Sequence, residues 1–91
     1  MGSEIANIFC GNLAFAVEDD DLKKVFESFG RVIRAHVICD YRTGRSRGFG
    51  FCEMENADDA AKAIEALNGT TLMGRPMRID KASRPVHPSR D

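Results

Sequence analysis

The chain is 91 residues long, 43% of them hydrophobic and 30% charged, and its formal net charge is −1. This length allows one small domain with its own core and excludes two. No apolar run is long enough to span a bilayer, and the Met1-Gly2-Ser3 start lacks the basic and apolar regions of a secretory signal. We therefore expect an intracellular protein that does not contact a membrane.

The charge is unevenly distributed along the chain. Residues 31–50 contain five arginines and one aspartate, a net charge of +4, whereas residues 1–30 contain six acidic residues and two lysines, a net charge of −4. The nearly neutral total therefore hides a basic middle segment, which favours an anionic partner.

Three cysteines, Cys10, Cys39 and Cys52, are far apart and form no Cys-x-x-Cys pair. This pattern argues against a disulfide framework and a zinc site, so we expect reduced thiols that pack as small core side chains. The two histidines cannot build a metal cluster, and no catalytic combination of residues is present. The sequence therefore predicts no cofactor, no metal and no enzyme activity.

The first predicted strand covers residues 6–13. Strand side chains alternate between the two faces of a sheet. The apolar residues Ile8, Cys10 and Leu13 indicate the core face, so Phe9 is expected to point away from the core.

A helix is predicted from Asp19 to Phe29, because its first turn is acidic and its apolar residues recur three and four positions apart. Gly30 is predicted to end it in the left-handed conformation. Helical spacing or a position beneath the sheet assigns three phenylalanines to the core: Phe15, Phe26 and Phe29.

A second strand is predicted from Arg31 to Asp40, with Ala35 and Val37 facing the core. Its outward side chains are Arg34, His36 and Ile38. The loop over residues 41–46 carries Arg42 and Arg45 and leads into the next strand.

The third strand, Arg47 to Met54, is the most informative segment of the sequence. Alternation places Arg47, Phe49, Phe51 and Glu53 on one face, and two glycines, Cys52 and Met54 on the other. The rings therefore share the face of Phe9. An exposed face with three phenylalanines usually marks a binding surface, and every nucleic-acid base has a π-face that can stack on such rings.

A second helix is predicted from Ala57 to Asn68, capped by Asn56 and ended by Gly69. Its buried stripe would consist of Ala60, Ala63, Ile64 and Leu67. After a turn over residues 72–76, a last strand from Met77 to Lys81 points Met77 and Ile79 inward and Arg78 and Asp80 outward. Residues 83–91 are predicted to be a flexible C-terminal tail.

This order of elements predicts an α+β fold, a ferredoxin-like βαββαβ sandwich in which a four-stranded antiparallel sheet carries two helices on one face. The other face of the sheet is then bare. It would present the three phenylalanines to solvent.

The octapeptide from Arg47 to Met54 resembles the eight-residue signature of the RNA recognition motif family, and the segment from Ile8 to Leu13 is similar to the companion six-residue signature. Met54 replaces the usual aromatic residue, on the core side. The resemblance covers residues 6–82. Within the family, the stretch Arg75 to Ser83 is similar to the RNA-binding domain of the 64 kDa cleavage stimulation factor subunit, and other features are similar to small cold-inducible RNA-binding proteins.

The resemblance implies a single-stranded RNA partner, with Phe9 and Phe51 each stacking on a base and Phe49 packing against sugars. It also implies a phosphate contact for Arg47. The last-strand contacts would be Arg78, Asp80 and Lys81. Three further residues remain open, since Asn12 could bond a base or brace a turn, and the loop residues Arg42 and Arg45 could touch RNA or only face solvent.

The resemblance implies a monomer that acts in mRNA processing or post-transcriptional regulation, in the nucleus rather than the cytoplasm, and that could also contact proteins of a ribonucleoprotein complex. The alternative is a protein-interaction module with secondary RNA binding, although the complete set of rings argues against loss of RNA contact. Single-stranded DNA stays open as a ligand, because no residue reveals sensing of the 2′-hydroxyl.

Overall fold

The computed structural model describes residues 5–82, and the tail predicted over residues 83–91 lies outside this range. Its elements in chain order are β1 (Ala6–Gly11), α1 (Asp19–Glu27), β2 (Val32–Cys39), β3 (Ser46–Met54), α2 (Ala57–Leu67), β4 (Thr71–Leu72), β5 (Arg75–Pro76) and β6 (Arg78–Lys81). Over this range no helix has both the length and the apolar character needed to cross a membrane.

Four strands form one antiparallel sheet in the order β2-β3-β1-β6, and β4 and β5 form a separate two-stranded hairpin. Helix α1 packs mainly against β2, and α2 packs against β6 and β1. The predicted ferredoxin-like βαββαβ fold is confirmed. The hairpin covers residues 71–76 and so includes the turn predicted over residues 72–76, in which Met73 and Gly74 both have positive φ.

The core lies between the sheet and the two helices. Ile8 and Cys10 of β1, and Cys52 and Met54 of β3, are at most 1% exposed. The helices contribute Leu22, Phe26, Ala60 and Ala63. Fully burying a large apolar side chain contributes about 1.5–3 kcal/mol, so this layer supplies much of the stability.

Both helices begin where the sequence predicts. The Asn56 side chain accepts hydrogen bonds from the backbone N–H groups of Asp58 and Asp59, at 2.8 and 3.2 Å. At the start of α1, the Asp21 carboxylate accepts from the backbone N–H of Glu18 at 2.9 Å. These bonds satisfy N–H groups that the first turn of a helix leaves without partners.

The left-handed helix end predicted at Gly30 is wrong. Helix α1 is followed by Ser28 in the right-handed conformation, and Gly30 does not have positive φ. A side chain at Gly30 would instead collide with the carboxyl group of Asp59, so the close approach of the loop after α1 to helix α2 explains this glycine. Gly69 does have φ of 89° and ends α2 as predicted.

Two side chains that were expected in the core lie at the surface. Phe15 is 74% exposed in the loop between β1 and α1, and Cys39 is exposed at the end of β2. Phe15 belongs to no helix or strand whose period could fix its direction. Cys39 follows a shift in the pairing of β2 with β3, where alternation fails. The core near the loop is filled by Leu13, Ala14 and Val17.

Candidate nucleic-acid interface

Three phenylalanine rings, which we name the ring cluster, lie in the middle of the sheet. Phe9 of β1 is directly opposite Phe51 of β3, with ring centroids 5.7 Å apart, and Phe49 lies 6.2 Å from each of them. Their strand neighbours Cys10 and Cys52 are buried against the helices. The rings therefore lie on the face away from the helices, as alternation predicts, and we call this the open face.

Two glycines allow the close packing around the ring cluster. The Phe9 ring lies across Gly11, where an added Cβ would be 2.7 Å from Cε2 of the ring. At Gly50, between the other two rings, a side chain would collide with the backbone carbonyl of His36 on β2. A larger residue at Gly11 would displace the Phe9 ring, and one at Gly50 would push β2 away from β3.

The edge strand β6 extends the open face beyond Phe9. Arg78 lies opposite Gly11 and Asp80 lies opposite Phe9, so both side chains share the face of the ring cluster. Asp80 also accepts a hydrogen bond from the backbone N–H of Lys81 at 2.7 Å. Lys81 lies opposite the buried Ile8, so its side chain leaves the sheet on the helix side and is not brought together with the others.

Asn12, at the end of β1, connects the sheet to the small hairpin. It has φ of 54°, a left-handed conformation that asparagine tolerates. Its Nδ2 donates to the backbone carbonyl of Pro76 at 2.6 Å, and its Oδ1 accepts from Nη2 of Arg75 at 2.5 Å. Both ends of the amide thus fix the hairpin, which favours the bracing role over a base contact. Arg75 is not among the predicted site residues, because no local pattern in the sequence links it to Asn12.

Arg47 is exposed at the start of β3, but alternation does not set its position. Gly48 has φ of 86°, and the pairing with β2 shifts between Ser46 and Gly50. The carbonyl of Gly48 accepts from the backbone N–H of Leu13 at 2.8 Å, which fixes this bulge to the loop after β1. A glycine inside a strand is the sequence signal for such a bulge.

The loop between β2 and β3 is a structured turn that presents two cations. The Asp40 carboxylate accepts from the backbone N–H groups of Arg42 and Thr43, at 2.8 and 3.3 Å. The Asp40 backbone bonds to Gly44 and Arg45, each at 2.7 Å. Arg42 and Arg45 are both exposed, so their guanidinium groups are accessible from a fixed backbone.

On the other side of Phe51 the open face forms a hollow of about 310 Å³, which we name the Glu53 hollow. Its polar lining residues are Asn7, Arg34, His36 and Glu53. Glu53 of β3 lies opposite both Asn7 of β1 and Arg34 of β2, and His36 lies opposite Phe51. Arg34, His36 and Glu53 were predicted to lie on this face, but none of them is among the predicted site residues. The signal available in the sequence was that Arg34 and Glu53 carry opposite charges at outward positions of neighbouring strands.

His36 is linked to the start of α1 through Asp19. Nδ1 of His36 is 3.5 Å from one carboxylate oxygen of Asp19, and the other oxygen accepts from the backbone N–H of Val37 at 2.7 Å. Asp19 thus fixes the middle of β2 to the helix layer. His36 is held beside Phe51 at the border of the hollow.

The two buried thiols lie directly beneath the open face. Burial raises the pKa of the Cys10 thiol well above its usual range, and the nearby Cys52 adds to this effect. Burial also raises the pKa of Cys52 to about 12, with a further contribution from the Glu53 carboxylate. Both thiols are protonated at neutral pH and pack as apolar groups. Residues 5–82 contain no group of three or more His, Cys, Asp or Glu side chains that could hold a metal ion.

The family model of the RNA recognition motif matches residues 8–78. The chain belongs to the RNA recognition motif family. The two signature segments of this RNA recognition motif contribute all three members of the ring cluster, on adjacent central strands.

Among similar proteins, RbpE of Nostoc sp. is 47% identical over 76 residues, which are 84% of this chain and 77% of that protein. The mitochondrial glycine-rich RNA-binding protein 4 of Arabidopsis thaliana is 44% identical over 78 residues, which are 86% of this chain and 57% of the relative. This RNA recognition motif therefore spans little more than half of the Arabidopsis protein.

Solved structures agree with the fold. The crystal structure of RNA Binding Protein PG1 superposes with a TM-score of 0.86 and 43% identity, over 90% of this chain and 99% of that one. A structure of the Sex-lethal protein in complex with RNA superposes with a TM-score of 0.79 and 30% identity, over 85% of this chain and 47% of that one. The family of this chain is thus an RNA-binding family, which fits a bare sheet face with exposed rings.

Proposed function

We propose that the open face binds a short segment of single-stranded RNA by base stacking. Phe9 and Phe51 each stack on one base, and Phe49 packs against the sugars between them. The observation that carries this proposal is the ring cluster, because three partly exposed aromatic rings at the centre of a bare sheet face are costly without a flat partner. The RNA-binding names of the relatives and the RNA complex of a structural neighbour support the same ligand.

The charged residues around the ring cluster hold the RNA backbone and read base edges. Arg47 contacts a phosphate from the bulge, and Arg42 and Arg45 approach the backbone from the turn between β2 and β3. Base edges are contacted from the last strand: Arg78 donates, and Asp80 accepts from an amino group. Lys81 adds positive charge at the edge, and Asn12 acts through the hairpin that it holds.

In the cell, this domain acts as a monomer in mRNA processing or other post-transcriptional regulation, with further protein contacts in a ribonucleoprotein complex. The relatives support the general RNA-binding role and give no preference to the nucleus, since one named relative is mitochondrial. The nuclear location stays a prediction from the family resemblance.

The direct test replaces Phe51, whose ring centroid lies 5.7 Å from that of Phe9 and 6.2 Å from that of Phe49. We expect Phe51→Ala to weaken binding of a labelled pool of random RNA octamers by about 1–3 kcal/mol, because one stacking contact is lost. Fluorescence anisotropy measures the dissociation constant, and circular dichroism checks the fold. An unchanged dissociation constant would falsify the stacking proposal.

Two matched variants separate stacking from simple apolar contact. Phe51→Tyr keeps a flat ring and is expected to bind nearly as well as the unaltered chain, whereas Phe51→Leu keeps an apolar side chain without a π-face and is expected to bind like Phe51→Ala. Competition with the matched DNA octamer pool decides the ligand. Equal competition by DNA would mean that the 2′-hydroxyl is not read.

A further inference from the structure

The Glu53 hollow is built differently from the ring cluster beside it. The ring cluster is apolar and can stack on any base, but the hollow combines one aromatic wall, Phe51, with a carboxylate and a guanidinium group. Its volume of about 310 Å³ reaches the lower end of the range of roughly 300–1,000 Å³ typical of small-molecule sites. The hollow is therefore large enough for one planar base, continuous with the proposed stacking surface.

The two charged groups of the hollow are close to each other, and neither is engaged in an ion pair among the described residues. Arg34 and Glu53 lie directly opposite on paired strands. Among the ion pairs that residues 5–82 form within 4.0 Å, neither of these two side chains takes part. Arg31 and Glu55, near the same end of these strands, do pair at 3.9 Å. Arg31 and Glu55 thus neutralise each other, whereas Arg34 and Glu53 on the open face remain accessible to a ligand.

The chemistry of these groups selects among the four bases. A carboxylate only accepts hydrogen bonds, and a guanidinium group only donates them. Guanine alone carries two adjacent donors, N1–H and the 2-amino group, next to an acceptor, O6, on its Watson–Crick edge. Adenine and cytosine offer one amino donor beside acceptors, and uracil offers one N–H between two acceptors, so none of them can fill both oxygens of a carboxylate.

We propose that the Glu53 hollow is a guanine-selective subsite for single-stranded RNA. The Glu53 carboxylate accepts from N1–H and the 2-amino group of guanine, and Arg34 donates to O6. Phe51 and Glu53 are two residues apart on one face of β3, about 7 Å along the strand, so a base that overlaps the Phe51 ring presents its edge to the carboxylate. Asn7 closes the other side of Glu53. This inference rests on the proposed stacking of RNA on the open face.

The test uses uridine octamers that carry a single guanosine, inosine, adenosine or cytidine near the centre. The chain can shift along such an RNA until the variable base occupies the hollow. We expect the guanosine octamer to bind about tenfold more tightly than the all-uridine octamer, the discrimination of a good two-bond contact. Inosine lacks the 2-amino group and is expected to lose most of this advantage.

The substitution Glu53→Gln keeps the size of the side chain and one acceptor but removes the second acceptor and the charge. We expect it to abolish the preference for guanosine while binding to the all-uridine octamer stays equal or rises slightly. Glu27→Gln, on the helix side, makes the same change in net charge and is expected to keep the preference. Arg34→Gln is expected to reduce the preference for guanosine as well. This second variant keeps the proposal testable if Glu53→Gln does not fold.

The outcomes distinguish this inference from the function on which it rests. Equal binding of guanosine and inosine octamers, or a guanosine preference that survives in Glu53→Gln, overturns the guanine subsite. If Phe51→Ala leaves binding of every octamer unchanged, the stacking proposal fails and the subsite fails with it. A lowered affinity in Phe51→Ala, together with no base preference in the unaltered chain, overturns the subsite alone.

Discussion

The two faces of the sheet use the same strands in opposite ways. Towards the helices, Cys10 and Cys52 are at most 1% exposed and pack as small apolar groups, whereas Phe9 and Phe51, one residue away on the same strands, remain partly exposed on the open face. At these positions small residues face the core and large rings face the open side, which reverses the usual distribution of apolar volume. The difference indicates that stability and ligand binding are separable here, residue by residue along one strand.

The largest effect should come from the helix side. Phe26 of α1 is fully buried, and we expect Phe26→Ala to lower the free energy of unfolding by about 3–5 kcal/mol because it leaves a cavity in the core. Urea unfolding followed by circular dichroism measures the loss. Phe51→Ala is the matched control on the open face and should cost much less stability. Equal losses for the two variants would remove the distinction between the faces.

The buried thiols provide a pH-dependent test of the same face. The pKa of Cys52 is raised in the folded chain, so folding holds a proton that the unfolded chain releases. The stabilisation is complete below the unfolded pKa of about 8.5, and it decreases as pH rises from there towards the folded pKa, by up to about 1.4 kcal/mol per pH unit for each such thiol.

We therefore expect the double variant Cys10→Val with Cys52→Val to lose less stability than the unaltered chain between pH 9 and pH 11, as measured by urea unfolding at each pH. The variant Cys39→Val replaces an exposed thiol and is the control, with an alkaline decrease like that of the unaltered chain. If the free energy of unfolding falls equally with pH in the double variant and the unaltered chain, the buried thiols do not cause the loss of stability at alkaline pH.

The sequence predicts this structure well wherever a regular ladder or helix is uninterrupted. From Gly50 to Met54, alternation correctly separates the open-face residues from the core residues, because each residue of this stretch is paired with both neighbouring strands. Near Arg47 the pairing with β2 shifts and Gly48 has positive φ, so alternation does not fix the direction of the Arg47 side chain. The local pattern at Asn12 gives no sign of its bonds to Arg75 and Pro76, which are 63 and 64 positions away. Loop geometry and long-range side-chain bonds depend on the assembled fold, so single-sequence periodicity cannot predict them.

Substitution of Arg47 tests whether this residue attracts a phosphate or reads a base in addition to the stacking on the rings. We expect Arg47→Ala to weaken RNA binding mainly at low salt and to reduce the slope of log K against log salt by about 0.7, the value for one phosphate contact on a single strand. The preferred RNA sequence should not change. Arg31→Ala, an exposed arginine paired with Glu55 near the far end of β2, is the charge-matched control. A shifted sequence preference in Arg47→Ala would assign this residue to base reading instead.

The smallest effect is expected at Phe15, where position in the fold outweighs residue type. Phe15 is 74% exposed and Phe26 is buried, although both are phenylalanines of the same β1–α1 unit. Removing an exposed ring takes little apolar area out of the folded state, so Phe15→Ala should change the free energy of unfolding by no more than about 0.5 kcal/mol. Urea unfolding of Phe15→Ala and Phe26→Ala side by side measures the contrast. A loss at Phe15 comparable to that at Phe26 would mean that the loop ring packs into the core in solution, and the sequence-based core assignment would then have been correct.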